Sequence, residues 1–198
     1  SIGMDSNPAS PYFGNLYIVY NDFPTGTSTG TNIDIYMVMS SDGGVSWSPK
    51  VKVNDDAGTA TQIFPWLAVD QSDGTVNVSW YDSRVDAANN RKTQVFYARS
   101  SNGGISFEPN LLVTDNGGVV WRNAVNYSDE NTTDNANRNP NQYGEYFGLD
   151  VKNNKAYMAW VDSRHFYPGS ATNAQKENVG FTVVDFGTAC TPPPVPTG

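Results

Sequence analysis

The sequence is short of the residues that staple or metallate small proteins: it has a single cysteine, Cys190, and a single histidine, His165. One cysteine excludes an internal disulfide and a cysteine-based zinc cluster, and one histidine excludes a multi-histidine metal site. Basic residues are also few. Twelve Lys and Arg against twenty Asp and Glu leave a formal net charge of −8 with no Lys/Arg run, which argues against a nucleic-acid or anionic-membrane surface. No apolar stretch is long enough to span a membrane, no signal peptide opens the chain, and no segment carries helical periodicity. A start at Ser1 fits a mature or trimmed product.

What is abundant is glycine, aromatic residues and repetition. The 198 residues suffice for a sizeable core, and the acidic, Asn/Ser/Thr/Gly-rich composition predicts a secreted, extracellular or cell-surface protein. The segment Ser41-Asp42-Gly43-Gly44-Val45-Ser46-Trp47 returns sixty residues later as Ser101-Asn102-Gly103-Gly104-Ile105-Ser106-Phe107. A second motif occurs three times, ending in Asp22, Asp82 and Asp162. The first two copies are sixty residues apart and the third eighty further on, the excess falling in the Asn-rich stretch 116–142. A third motif, Phe64-Pro65-Trp66-Leu67-Ala68-Val69-Asp70, is matched by Glu145-Tyr146-Phe147-Gly148-Leu149-Asp150, with each Asp twelve residues before the Asp of the second motif. Coordinated repeats of this length mark stacked supersecondary units.

Each motif is short, β-branched or aromatic, and bounded by Gly, Asn, Asp or Ser, the signature of a strand. The middle unit predicts strands at 64–69, 75–80, 94–99 and 111–114, the first unit at 2–4, 16–20, 34–39 and 50–53, and the third at 146–151, 156–160 and 179–184 without a clear fourth. The expected fold class is therefore all-β. It is a β-propeller of four-stranded antiparallel blades with three blades present, a fragment of a six- or seven-bladed ring. Blade one covers 1–58, blade two 59–118 with the insertion 116–142, and an incomplete blade three 143–187, before a Pro-rich linker at 188–198.

The eight residues 40–47 resemble the Asp-box, Ser-x-Asp-x-Gly-x-Ser/Thr-Trp, of sialidase-like propellers, and residues 100–107 resemble a degenerate copy with Asn102 for Asp and Phe107 for Trp. The structural box residues are Ser41, Asp42, Gly44, Trp47, Asn102, Gly104 and Phe107. Physically the box is a turn device in which a short polar side chain accepts backbone N–H bonds and glycines take positive φ. The resemblance implies boxes on the turns between third and fourth strands, away from the face that binds substrate. The tail Cys190-Thr191-Pro192-Pro193-Pro194-Val195-Pro196-Thr197-Gly198 is similar to linkers that lead into fibronectin type III or related modules of large secreted bacterial proteins.

Function is expected on the opposite face, which carries the loops after Asp22, Asp82 and Asp162 and the insertion 116–142. The insertion breaks the repeat symmetry, and Trp121, Arg122, Tyr127 and Arg138 there, with Arg84 and Tyr167, form the expected binding set: aromatic faces stack on sugar rings while polar groups bind hydroxyls. Sialidases use a Tyr nucleophile assisted by Glu, an Asp acid and three Arg. The candidate catalytic residues Tyr143, Glu145, Asp162 and Arg164 match that set in type, although not in order or flanking pattern. An Asp-Ser-Arg triplet at 82–84 and again at 162–164 also fits a structural role, the Asp holding a turn and the Arg bridging to the next blade. No cofactor is expected; Asp55-Asp56, or Asp82 with Asp86, are the candidates for Ca2+, and their spacing fits no EF-hand.

Three functions remain open: a non-catalytic recognition or scaffold segment of a multidomain protein, binding glycan or extracellular protein; part of a sialidase-like glycoside hydrolase; and a purely structural spacer. Three blades leave two faces uncovered, so the remaining blades must come from the same protein or from a second chain.

Overall fold

The computed structural model describes residues 1–24, 32–88, 90, 92–114, 128–129, 147–166 and 175–187. They form three antiparallel meanders. Sheet I runs β1 (Ile2–Met4), β2 (Leu16–Asp22), β3 (Asp34–Ser40) and β4 (Val51–Lys52), in spatial order β1-β2-β3-β4. Sheet II repeats the plan with β5 (Gln62–Val69), β6 (Val76–Asp82), β7 (Lys92–Ser100) and β8 (Leu111–Leu112), and β9 (Ser128–Asp129), drawn from the insertion, adds a pairing to the start of β7. Sheet III has β10 (Gly148–Lys152), β11 (Lys155–Phe166) and β12 (Gln175–Asp185). The single helical element among the described residues is a 3-10 turn at Arg84–Asp86.

The registers make the sheets counterparts. Leu16 lies opposite Ser40, Val76 opposite Ser100 and Ala156 opposite Val184, and six rungs on Asp22 faces Asp34, Asp82 faces Gln94 and Asp162 faces Asn178. The three Asp residues therefore stand at the same rung of the second strand of each meander.

Strand alternation sends successive side chains to opposite faces, and the sheets stack face on face. Tyr17, Val19, Ile35 and Met37 of sheet I meet Leu67, Val69, Val76, Val78, Trp80 and Phe96 of sheet II. The other face of sheet II, with Tyr81, Val95 and Tyr97, meets Leu149, Val151, Ala156, Met158 and Trp160 of sheet III. With both faces covered, all seven residues of β6 are buried. Each large apolar side chain so buried contributes roughly 1.5–3 kcal/mol.

Polar fasteners cross the joints. Asp70 Oδ1 accepts the Asn153 N–H at 3.3 Å and Oδ2 accepts the Asn154 N–H at 2.8 Å, so a sheet II carboxylate caps the β10–β11 turn. The Tyr81 hydroxyl accepts the Val161 N–H at 2.9 Å and donates to the Val161 carbonyl at 3.1 Å.

The structure departs from the sequence expectations in several strand bounds and at two places of more consequence. Asp150 is not the counterpart of Asp70: it lies exposed opposite Tyr157, and the rung of Asp70 is taken by Lys152. The cause is a shorter turn, in which Asn153 (φ 52°) and Asn154 (φ 61°) form the two-residue left-handed corner that hairpins favour. The loop expected after Asp162 is largely strand, since β11 and β12 continue pairing as far as Phe166 and Gln175 across a register shift between Asp162 and His165. β10 starts at Gly148 rather than at 146, and β7 starts at Lys92 rather than at 94.

Candidate functional site

The ladders give each sheet two distinct ends. Ser40 and Ser100 lead out of β3 and β7 into glycine turns at one end, while Asp22, Asp82 and Asp162 finish β2, β6 and β11's regular pairing at the other.

At the glycine end the two turns are chemically almost superimposable. In the first, Asp42 Oδ1 accepts the Ser40 hydroxyl at 2.7 Å and the Ser46 N–H at 2.9 Å, Oδ2 accepts the Ser46 hydroxyl at 2.6 Å, and the Gly44 N–H donates to Ser40 Oγ at 2.9 Å. In the second, Asn102 Oδ1 accepts the Ser100 hydroxyl at 2.8 Å and the Ser106 N–H at 3.1 Å, and the Gly104 N–H donates to Ser100 Oγ at 2.9 Å. One bond reverses: Asn102 Nδ2 donates to Ser106 Oγ at 2.8 Å where Asp42 accepts from Ser46. Ser40, not the exposed Ser41, supplies the hydroxyl that ties the first turn. The Ser46 hydroxyl and N–H, with the Ser40 hydroxyl, hold the Asp42 carboxyl down to about 2. Gly44 and Gly104 adopt φ of 90° and 85°, which a side chain resists. Trp47 is partly exposed, whereas Phe107 packs against the first core.

At the aspartate end Asp82 is fully buried. Its Oδ1 accepts the Arg84 N–H at 2.9 Å and Gln62 Nε2 at 3.3 Å, and its Oδ2 accepts Trp80 Nε1 at 3.0 Å and Arg84 Nη2 at 2.8 Å. Arg84 reaches from there to Asp55 Oδ1 at 2.9 Å and Asn110 Oδ1 at 3.2 Å, and its guanidinium lies 4.0 Å from the Phe96 ring centre. Burial opposes the guanidinium charge, but Asp82 and Asp55 outweigh it and hold the pKa above its usual value. Burial likewise works to raise Asp55, and the Asn110 N–H with Arg84 brings it below the ordinary carboxylate value. Asp55 and Asn110 also exchange backbone N–H bonds, Asp55 N–H to Asn110 Oδ1 at 2.8 Å and Asn110 N–H to Asp55 Oδ2 at 3.0 Å. This geometry is that of a bridge between sheets I and II.

Its counterpart in sheet I is open. Asp22 pairs with Lys50 at 2.9 Å in solvent, Lys50 lies 4.0 Å above the Tyr36 ring, and Lys50 and the Phe23 N–H draw the Asp22 carboxyl below its ordinary value. Asp162, the third counterpart, is buried. Arg164 lies in the β11 stretch where the register shifts, and Asp86 in the 3-10 turn. Trp121, Arg122, Tyr127, Arg138, Tyr143, Glu145 and Tyr167 lie outside the described residues. Among the described residues no three His, Cys, Asp or Glu side chains converge as metal ligands would.

Between sheets I and II, at this same end, lies a cleft of about 280 Å³ lined by Ser1, Val19, Tyr20, Asn21, Phe64, Pro65 and Trp66. It exists because β5 bulges. The register against β6 shifts between Ile63 and Trp66, Pro65 has no N–H to give to a ladder, and Phe64 is held at φ 54°. A left-handed phenylalanine costs about 1–3 kcal/mol, and such strain gathers at binding sites. The Phe64 ring packs edge-on against Tyr81 at 6.4 Å, and Trp66 remains partly exposed. Sequence reasoning did not assign this cleft; its one signal is a proline inside a strand motif.

No protein-family model and no curated protein matches the chain. Among solved structures it is similar to the Hadza microbial sialidase Hz136, with a TM-score of 0.54 and 14% identity over 92% of this chain and 34% of that one. The intramolecular trans-sialidase from Ruminococcus gnavus aligns with a TM-score of 0.42 and 11% identity, over 93% of this chain and 33% of that one. The first likeness shows a sialidase-like fold, and the chain spans about a third of the length of that sialidase.

Proposed function

We propose that this chain is a non-catalytic recognition segment of a secreted, sialidase-like β-propeller, that its three sheets are blades, that the turns at 40–47 and 100–107 are its Asp-boxes, and that it binds a glycan at the aspartate end. The observation that carries this reading is the cleft beside the β5 bulge. Tyr20, Asn21, Phe64 and Trp66, all on strands, line a space of about 280 Å³, and Trp66 is partly exposed, so its ring is the one offered to a sugar, while the Phe64 ring is turned away onto Tyr81. The reading needs no metal or cofactor. Arg84 then serves as a bridge between blades, and Trp121, Arg122, Tyr127 and Arg138 of the 116–142 insertion are further binding candidates.

Glycan-array binding of the wild-type chain, Trp66→Ala and Trp47→Ala tests this. We expect Trp66→Ala to weaken binding at least about tenfold, since a stacking aromatic supplies roughly 1–3 kcal/mol, and Trp47→Ala at the opposite end to leave it unchanged. Binding lost only in Trp121→Ala moves the site to the 116–142 insertion. No glycan binding in any form leaves the structural spacer. Turnover of a sialoside that disappears in Tyr143→Phe replaces the recognition reading with a glycoside hydrolase, the reading that the fold likeness to a sialidase favours second.

A further inference from the structure

Two faces carry core-type side chains on which no other described residue packs. On sheet III, Val179 is 76% and Phe181 64% exposed. Their rung counterparts are Val95 and Tyr97 in sheet II and Ile35 and Met37 in sheet I, all fully buried under the following sheet. On sheet I, Ile2 is 63% and Met4 49% exposed, and their counterparts Leu67 and Val69 are buried beneath the preceding sheet. The face that sheet III leaves open is thus the kind that accepts a following sheet, and the face that sheet I leaves open is the kind that accepts a preceding one.

One detail makes the fit specific. In the joint between sheets I and II, the left-handed Gly104 sits so close to Met37 that a Cβ there would overlap Met37 Cε, with Tyr17 Cε1 at 3.4 Å. The rung counterpart of Met37 on sheet III is Phe181, and the counterpart of Gly104 on sheet I is Gly44, whose Cβ position meets only Leu16 and Trp47 of its own sheet at 3.7 and 3.8 Å. A sheet I laid on a sheet III places Gly44 over Phe181 as Gly104 lies over Met37.

We propose that a second copy of this chain supplies that sheet: sheet I of one copy docks on sheet III of the other, head to tail, at two equivalent joints. The ring so closed has six sheets, within the roughly four to eight that such rings take. Continuity with the two joints inside the chain is the argument for this occupant, because each repeats the same face pairing. The inference rests on the propeller part of the preceding proposal and is independent of the glycan site.

Sedimentation velocity and light scattering of the 198-residue chain provide the test. The expected species is a dimer. Phe181→Asp on one face and Ile2→Asp on the other should each weaken it at least about 30-fold, as loss of a central interface anchor does. Mixing the two variants should restore association in part, since one intact joint re-forms between them and none forms in either alone. Val179→Lys repeats the first arm at an exposed position that no packing within the chain requires. A wild-type chain that is monomeric with its sheets intact by circular dichroism overturns the dimer and spares the propeller reading. A dimer indifferent to Phe181→Asp, or an open series of oligomers growing with concentration, also overturns it. Loss of the sheets themselves in the wild-type chain removes both readings.

Discussion

Sheets I and II are the same ladder in two surroundings. Sixty residues apart, they place Asp22 and Asp82, Gly44 and Gly104, and Asp42 and Asn102 at matching positions. In sheet II both faces are covered, and Asp82 lies buried under four N–H donors. In sheet I one face is open, and Asp22 holds a single lysine in water. The comparison separates what a repeat position does by local chemistry from what it does because a neighbour lies on it. Turn hydrogen bonds belong to the first kind, carboxylate burial and glycine crowding to the second.

The largest expected difference lies at the aspartates. Asp82→Ala leaves Trp80 Nε1 and the Arg84 guanidinium without their buried acceptor and should destabilise by about 3–5 kcal/mol, against about 1 kcal/mol or less for Asp22→Ala, an exposed pair. Urea unfolding of both variants checks this; equal losses would mean that the burial of Asp82 is immaterial. Next come the glycines. Gly104→Ala combines left-handed strain with overlap at Met37 and should cost about 2–4 kcal/mol, while Gly44→Ala carries the strain alone at about 1–2 kcal/mol. If a second copy covers Gly44 the gap should narrow with protein concentration, so melting at two concentrations sharpens the contrast.

The smallest effect is acid sensitivity. The folded Asp42 carboxyl sits at about 2, below its ordinary 3.8. Stability from its bonds is therefore complete above about pH 4 and is lost as the pH falls toward 2. Asn102 has no proton to take up. The Ser46 amide resonance should move across that window and that of Ser106 should not. Parallel movement of both would show that acid opens the sheets rather than the turn.

Much of the fold was legible because its determinants are local. The sixty-residue recurrence, the β-branched and aromatic run around Val76, Val78 and Trp80, and the Ser-x-Asp/Asn-Gly-Gly turns mark strands and hairpins in the sequence itself. The misplacement of Asp150 has a plain cause: spacing along the chain counts residues, whereas pairing counts rungs, and the corner at Asn153 and Asn154 removed two. The extension of β11 past Asp162 depends on long-range pairing with β12, which the polar residues Ser163, Arg164 and His165 conceal. The site was less legible. The cleft depends on Phe64 taking a backbone conformation that its residue type disfavours, and the aromatic and arginine candidates of the insertion lie outside the described residues.

The grip of Asp70 on the Asn153 and Asn154 amides has an evolutionary corollary. Main-chain groups are the same in nearly every amino acid, so a fastener that grasps only them makes no demand on the lettering of the partner turn. Adjacent modules joined in this way are free to diverge in sequence and even in turn length while remaining mechanically attached, and a repeat can fade from the primary structure long before it fades from the shape.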